Sequence, residues 1–423
     1  MWSVLMVSSL LAAPLELSSL GEDAALQALL WQQSAALQPA RARVAQAEAE
    51  RRKALRLPNP GLDLSVNTLP VGPLNPPELK DPFLNVPNVA VGLSVLLELG
   101  KREPRQDATS HAARAAALEA LEQLRQKQLE LEDVVGDVAA EQLRVDALEG
   151  LALTGARLTE LQQARVEKGD TSELDADRAR LEYESTSTAL GEARAQLADR
   201  LRQCAELVAT PCIAFSKVEQ ATRWLDRHGG PVAAGLERRP DLRALEATAA
   251  AARASQRLAQ NGWIPDPTVR VGYVRDQFVA SGNQQNSLYL GVTFPLPLFE
   301  RGADDAAAAA LAAAAADRQR EQLLSTARAQ LEQVGAQLVA VETRQRRLRE
   351  HSLPLAQSVV ERLNTAVNRG AAPLQELLLA RRSLAELLLT ATELDRTDFH
   401  LHVARARLTS TLDAPLAPLK DLP

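Results

Sequence analysis

Two stretches decide the fold of this chain: Leu57-Pro58-Asn59-Pro60-Gly61-Leu62-Asp63-Leu64-Ser65-Val66-Asn67 and Ile264-Pro265-Asp266-Pro267-Thr268-Val269-Arg270-Val271-Gly272-Tyr273. Each begins with two prolines on either side of one polar residue and continues with an apolar residue at every second position. Helical patterns precede and follow both stretches in the same order. The chain of 423 residues therefore reads as an internal duplication, in which neither copy can bury its own faces alone.

Each repeat predicts a β-hairpin, over residues 61–99 in the first and 267–298 in the second. Alternation with a period of two gives each strand one apolar face and one polar face. The residues that a membrane barrel would turn towards lipid are Leu62, Leu64, Val66, Val269 and Val271. Alternation alone fits two structures equally, a transmembrane barrel and a soluble, half-buried sheet.

The number of strands limits how a barrel can form. One chain supplies four strands, whereas the smallest transmembrane barrels have about eight. An open sheet in lipid leaves backbone groups unpaired at its edges, and each unpaired group costs several kcal/mol. A barrel made from this sheet must therefore be shared between chains.

The segments that follow the hairpins predict very long helices, which favour the barrel over the soluble sheet. Residues 105–168 contain no proline, and a helix of that length spans roughly 95 Å. A second run begins after Gly302, with bends expected at Gly335 and Pro354. Both runs end at a glycine, Gly169 or Gly370, and a return helix follows, which predicts helical hairpins over residues 101–209 and 303–412.

Two further stretches complete a pattern shared with a known family. Leu97-Glu98-Leu99-Gly100-Lys101-Arg102 follows the first hairpin, and Phe294-Pro295-Leu296-Pro297-Leu298-Phe299-Glu300-Arg301-Gly302 follows the second. In their order and spacing, these stretches resemble the TolC-like outer-membrane efflux proteins. The resemblance implies a mainly α fold with a β-barrel portion, in which three chains form a 12-stranded barrel, four strands from each, and a long α-helical tunnel in the periplasm.

The same resemblance implies a function and partners. The expected function is a passive channel in the cell outer membrane, the outermost component of a tripartite efflux system. The expected partners are two further copies of the chain, outer-membrane lipid, a periplasmic membrane-fusion adaptor and an inner-membrane transporter, of which the resistance-nodulation-division type is favoured. Glu98-Leu99-Gly100-Lys101-Arg102 is most similar to the heavy-metal cation efflux (CzcC-like) branch, which suggests heavy-metal cations as cargo.

The expected organisation has five parts. Residues 1–13 form an apolar signal peptide without Lys or Arg, and residues 14–210 form the first repeat. Residues 211–240 link the repeats and correspond to the equatorial segment of the family. Residues 241–412 form the second repeat, and residues 413–423 form a tail. Because no cysteine lies near the signal peptide, we predict an N-terminus without a lipid anchor.

The resemblance places the two glycine turns at the periplasmic tip of the tunnel, where the channel is gated. The candidate gate residues are Gly169, Asp170, Asp175, Gly370 and Glu376. Asp175 and Glu376 each stand six residues past a turn glycine, and rings of such acids in a trimer would concentrate cations at a narrow mouth. The alternative is that both are ordinary exposed acids in a first helical turn, favoured there by the helix dipole.

Only two cysteines occur, Cys204 and Cys212, near the expected end of the first return helix. In an oxidising periplasm they would close a small disulfide loop; the alternative is a pair of small reduced side chains. The five histidines are scattered, and no metal site is expected.

The composition and the absence of known motifs exclude several classes of function. A net charge of -6 and a pI near 5.6 provide no basic surface for nucleic acid. No nucleophile elbow, phosphate loop or paired-histidine motif occurs, so we expect neither enzymatic activity nor a cofactor. The competing function is that of a long coiled-coil scaffold without a transport role, whose strands must be covered by protein instead of lipid.

Overall fold

The computed structural model describes residues 14–19, 27–28, 30–32, 34–71, 81–226, 235–277 and 284–409. The predicted signal peptide and the predicted C-terminal tail lie outside these residues. The chain divides into two compact units. The helical unit comprises residues 1–41, 119–242 and 322–423, and the sheet unit comprises residues 42–118 and 243–321.

Helices account for most of the described chain. Their bounds are α1 (Gln38–Leu55), α2 (Arg102–Glu167), α3 (Glu173–Val208), α4 (Val218–Leu225), α5 (Pro240–Gln260), α6 (Ala303–Arg347), α7 (Leu353–Asn368) and α8 (Leu374–Thr409). Short helical turns lie at Leu17–Ser19, Ala35–Leu37, Pro82–Asn85, Leu236–Arg238 and Asn261–Trp263. Among the described residues, no helix is both long enough and apolar enough to cross a membrane.

The two long helices of the repeats differ in their continuity. Helix α2 runs for 66 residues without a break. Its counterpart is interrupted between α6 and α7 by a π-helical turn at Leu348–Ser352, just before Pro354. Proline lacks an N–H, and its ring clashes with the carbonyl four residues earlier, so the wider turn accommodates it. Gly335, the other expected bend, lies inside α6, which continues through it.

Six strands form two sheets in the described residues. Their bounds are β1 (Leu15–Glu16), β2 (Gly61–Asn67), β3 (Asn88–Leu96), β4 (Cys212–Ile213), β5 (Thr268–Asp276) and β6 (Asn286–Thr293). The larger sheet has the order β2-β3-β5-β6 and is antiparallel throughout, so the two predicted hairpins lie side by side. The smaller sheet is the parallel pair β1-β4. The predicted fold class, mainly helical with two hairpins from tandem repeats, is confirmed.

The core of the helical unit is a series of small clusters along the helices. Near the glycine turns, Leu158 and Ala179 of the first hairpin pack with Val367, Leu374 and Leu377 of the second. Further clusters contain Leu148, Leu190 and Ala193, and Val341, Leu348 and Leu394. Apolar residues three or four apart on a helix share one face, and these faces make the contacts between the helices.

Candidate functional site

The larger sheet carries one continuous apolar face that is open to the surroundings of the chain. Leu62 lies opposite Leu93, Leu93 opposite Val271, and Val271 opposite Leu290, so apolar residues of all four strands share one row. The exposed fractions of predicted lipid-facing residues are 72% for Leu64 and 52% for Val271. Leu62 and Val66 are exposed as well, whereas Val269 is half-buried. The register therefore brings the five predicted residues onto one face.

The other face of the sheet carries mostly polar or small residues. Ser65 and Arg270 lie on it, next in sequence to Leu64 and Val271. In the neighbouring row the ring of Tyr289 lies across Gly272 and Gly92, where a Cβ atom at Gly92 would be 2.3 Å from the Tyr289 hydroxyl. A larger side chain at either glycine would displace that ring. Nothing in the alternation pattern pointed to this contact.

The two glycine turns have the same backbone geometry. Gly169 and Gly370 adopt positive φ values of 77° and 71°, which a residue with a Cβ rarely adopts. The N–H after each glycine donates to the carbonyl five residues earlier, Asp170 to Arg165 and Ala371 to Ala366, both at 2.8 Å. This pattern is the Schellman motif, which ends a helix at a glycine. Both long helices therefore stop for the same local reason.

The candidate gate acids differ in their contacts. Ser172 Oγ donates to a carboxylate oxygen of Asp175 at 3.0 Å and accepts from the Asp175 N–H at 3.2 Å, which caps helix α3. Arg178 also approaches Asp175, at 3.4 Å. Glu376 is exposed in the first turn of α8. Asp175 thus has a local structural role as part of a helix cap. The side chain of Glu376 is exposed to solvent in the single chain.

A set of contacts at the foot of the sheet was not foreseen from the sequence. Asp266, between the two prolines of the second repeat, accepts a hydrogen bond from the Leu99 N–H at 2.9 Å and pairs with Lys101 at 2.8 Å. Glu98 pairs with Arg105 at the start of α2. The stretch that carries the family resemblance in the first repeat therefore joins the strands to the long helix. In the sequence, residues 97–102 and 265–267 are recognisable only as segments that flank the two hairpins. Nothing else there indicated that they meet.

An ionic cluster around the buried Asp137 links α2, α3 and α8 in the helical unit. Asp137 accepts from Arg396 at 2.7 Å, contacts His400 at 2.8 Å and lies 3.3 Å from Arg200. Asp133 contacts the other ring nitrogen of His400 at 2.9 Å. In the sequence, His400 is one of five scattered histidines, and no pattern predicted this cluster.

The cluster shifts the pKa values of its members. Hydrogen bonds from the imidazole to Asp133 and Asp137 raise the pKa of His400 to about 9. Burial alone would raise the pKa of Asp137, but the hydrogen bond with His400 and the charge of Arg396 outweigh it and lower that pKa. At neutral pH the cluster therefore joins the charged imidazole of His400 to the charged carboxylate of Asp137.

Two further predictions concern cysteines and metals. Cys204 at the end of α3 and Cys212 in β4 form a disulfide, with their Cα atoms 6.1 Å apart. The adjoining strand pair β1-β4 and the contact of Phe215 with Trp224 hold the segment after α3 in place.

Within the described part of the chain, no group of three or more His, Cys, Asp or Glu side chains is arranged to hold a metal ion.

Comparison with known proteins agrees with this architecture. Residues 233–398 match the family model described as outer membrane efflux protein. This part of the chain is similar in sequence to the outer membrane efflux protein family. The resemblance to TolC-like efflux proteins is thus confirmed for the second repeat by sequence, while no curated protein sequence matches the chain significantly.

Solved structures extend the likeness over most of the chain. The structure of CusC has a TM-score of 0.74 at 16% identity, with 92% of each chain covered. That of VceC from Vibrio cholerae has a TM-score of 0.72 at 19% identity and covers 92% of this chain and 96% of VceC. MtrE from Neisseria gonorrhoeae, solved as an open outer-membrane channel, has a TM-score of 0.68 at 16% identity, with 91% and 88% covered. These solved structures share the fold of most of the chain, including its first repeat.

Proposed function

We propose that this chain is one protomer of a homotrimeric outer-membrane efflux duct. In the proposed assembly each chain contributes four strands to a 12-stranded barrel, and the helical hairpins extend into the periplasm as a tunnel. The duct is passive: it binds no cofactor and catalyses no reaction. Its substrates arrive through a periplasmic adaptor from an inner-membrane pump, for which the resistance-nodulation-division type is our proposal.

The observation that carries this proposal is the exposed apolar face of an incomplete sheet. The large apolar side chains of Leu64 and Leu290 are 72% and 76% exposed. A contiguous exposed apolar face of this kind is unfavourable in water and marks a surface that contacts protein or lipid. Lipid covers such a face without further protein. In the described part of the chain the sheet has two open edges, at β2 and β6, and these require other strands because unpaired backbone groups are costly in lipid.

The support for heavy-metal cations as cargo is the resemblance of Glu98-Leu99-Gly100-Lys101-Arg102 to one branch of the family. In the structure, Glu98 and Lys101 are held in ion pairs at the foot of the sheet. These residues therefore position the strands, and a cargo-binding role is not needed to explain them. A conduit that releases its cargo needs no tight cation site.

The experiment that tests the proposal is fractionation of cells that express the full chain, followed by electrophoresis of the membrane fraction with and without heating. We expect the protein in the outer membrane, as a detergent-resistant trimer that dissociates on heating. A scaffold without a transport role would instead appear in a soluble fraction. A stable folded monomer, measured by light scattering in detergent, would also contradict the proposal.

A further inference from the structure

The apolar face of the larger sheet carries three polar side chains, and all of them lie at one corner. They are Tyr273 and Arg275 in β5 and Asn286 in β6. Every other residue that the described strands place on this face is Leu or Val. A charge on a lipid-facing surface is costly at mid-bilayer and far less costly near the membrane surface. The position of Arg275 on this face therefore calls for a partner outside the sheet.

The register brings the three side chains together. Arg275 and Asn286 lie directly opposite each other. In the next pair along the strands, the Asp276 N–H donates to the Gln285 carbonyl at 2.9 Å. Because hydrogen-bonded and non-hydrogen-bonded pairs alternate, Arg275 and Asn286 form a non-hydrogen-bonded pair, in which side chains stand closest. The Tyr273 hydroxyl donates to Asn286 Oδ1, so the three residues form one corner patch.

The corner patch offers hydrogen-bond donors and a positive charge. Asn286 Oδ1 accepts from Tyr273, which leaves the amide NH2 group as a donor. The guanidinium of Arg275 has five N–H donors in a planar fork, which matches the oxygens of a phosphate. The described strands place no carboxylate on this face, and the adjacent Asp276 belongs to the opposite one. The patch is thus suited to an anion with several oxygen acceptors.

The corner patch lies at the end of the sheet that is remote from the helices. Strand β5 begins soon after α5 and ends at Asp276, next to Arg275. Strands β3 and β5 have nine residues each, enough for a tilted strand to cross a bilayer. In the proposed assembly the helices lie in the periplasm, so this end reaches the outer surface. Tyr273 then stands at the interface, where tyrosine is enriched, and Arg275 stands at the level of the headgroups.

We propose that the corner patch binds a phosphate group of lipopolysaccharide, the phosphorylated glycolipid of the outer leaflet. The inference rests on the proposed outer-membrane duct and adds a lipid site to its surface. Arg275 pairs with the phosphate, Asn286 donates a second hydrogen bond to it, and Tyr273 holds the amide in position. A trimer would carry three such sites, one in each chain.

The rows next to the corner patch supply a surface for the acyl chains of the same lipid. Leu288 follows Asn286 on this face of β6 and is 83% exposed, and Leu290 follows it. Val91 lies in the same row as Tyr273 and Leu288. A lipid can therefore place its phosphate on the patch and its chains on the apolar rows at once. A free phosphate ion gains only the polar contacts, so the arrangement favours a lipid.

A second arginine of β5 provides a matched control. Arg270 is exposed like Arg275, but it lies on the opposite face of the sheet, between Ser94 and Gly291. In the proposed barrel that face borders the lumen and meets no lipid. Any effect of charge that is independent of position would appear equally at both arginines.

Binding of lipopolysaccharide to the purified, delipidated trimer of the full chain tests the proposal. The trimer in detergent is titrated with fluorescently labelled lipopolysaccharide, with its dephosphorylated form and with phosphatidylglycerol. We expect lipopolysaccharide to bind at least about ten-fold more tightly than the dephosphorylated form, because hydrogen bonds to charged groups are the strong ones. Phosphatidylglycerol should bind more weakly as well, because its phosphate diester carries less charge than the monoesters of lipopolysaccharide.

Three variants locate the site. Arg275→Gln should weaken the binding of lipopolysaccharide at least about ten-fold, and Asn286→Ala about three-fold. Arg270→Gln should bind as the wild type does. Electrophoresis with and without heating shows that each variant assembles, so that a loss of binding is not a loss of the trimer.

A second measurement needs no variant. A ligand that binds the assembled state stabilises it, so added lipopolysaccharide should raise the temperature at which the wild-type trimer dissociates. The dephosphorylated form should raise that temperature less. Equal shifts for the two lipids would contradict a site for phosphate.

The outcomes separate this site from the proposed function. Equal affinities of wild type and Arg275→Gln for lipopolysaccharide would overturn the site, and so would equal binding of phosphatidylglycerol. Both results come from an assembled trimer and leave the duct intact. The absence of any trimer in wild-type membranes would instead remove the proposed function, and the site with it.

Discussion

The sheet unit and the helical unit place their side chains in opposite ways. In the sheet, leucines and valines are exposed on one face, and Leu290 is 76% exposed. In the helical unit, charged residues such as Arg125, Asp137 and Glu141 are buried. Burying charge is costly unless each group is paired, and exposing large apolar residues is costly in water. The contrast indicates that the helices provide their own polar partners, whereas the sheet depends on an apolar environment outside the chain.

The largest expected effect comes from breaking the ionic cluster around Asp137 in the helical unit. Asp137→Ala leaves the half-buried His400 and Arg396 without their shared carboxylate. Loss of one partner from a fully buried pair costs about 3–5 kcal/mol, and the solvent exposure of these two partners places the cost below that range. Chemical unfolding of the purified protein measures the loss. Asp199→Ala is the control, because its pair with Arg202 is exposed and should matter little. Similar losses for both variants would show that the cluster is not buried in the assembled protein.

The next effect tests the apolar face of the sheet. Leu64→Arg places a charge on the proposed lipid side and should hinder membrane assembly by about 2–4 kcal/mol if the site lies at mid-bilayer. Ser65→Arg puts the same charge on the opposite face, where Arg270 already lies, and should be tolerated. The yield of heat-dissociable trimer in outer membranes is the readout. Equal yields for the two variants would mean that lipid does not distinguish the faces.

A smaller effect is a pH dependence of the helical unit. The pKa of His400 is raised to about 9 from an unfolded value near 6.5, so the charged imidazole stabilises the folded state. That contribution is complete below about pH 6.5 and disappears as the pH rises through about 9. We expect the thermal midpoint of the wild type to fall across this range, and that of His400→Gln to fall less. If the thermal midpoints of the wild type and of His400→Gln fell equally with pH, His400 would not be the source of the pH dependence.

The smallest effect on stability is expected at the glycine turns. Asp175→Asn keeps an oxygen for Ser172, and Glu376→Gln changes an exposed side chain, so the double variant should assemble normally. If these acids ring the tunnel mouth, their neutralisation should lower cation preference and weaken block by divalent ions in planar bilayers. Unchanged selectivity in a correctly inserted double variant would leave both acids as helix-end residues.

The features that the sequence by itself determined are local. Alternation with a period of two specifies which face of a strand is apolar, and the strands observed at Gly61–Asn67 and Thr268–Asp276 carry it as predicted. The helix ends at Gly169 and Gly370 follow from a positive φ that glycine adopts without strain. These signals act over a few residues, so they can be read before the partners of each element are known.

The features that only the tertiary structure decided depend on residues far apart in the chain. Asp266 meets Lys101, and Asp133 meets His400, because hairpins and helices from different repeats lie side by side. The π-helical turn at Leu348–Ser352 appears where a proline and the packing of Leu348 must both be satisfied. A periodic pattern shows which face of an element is apolar, but it does not specify which other element packs against that face. For that reason the ionic cluster and the contacts between the two repeats could be identified only from the folded structure.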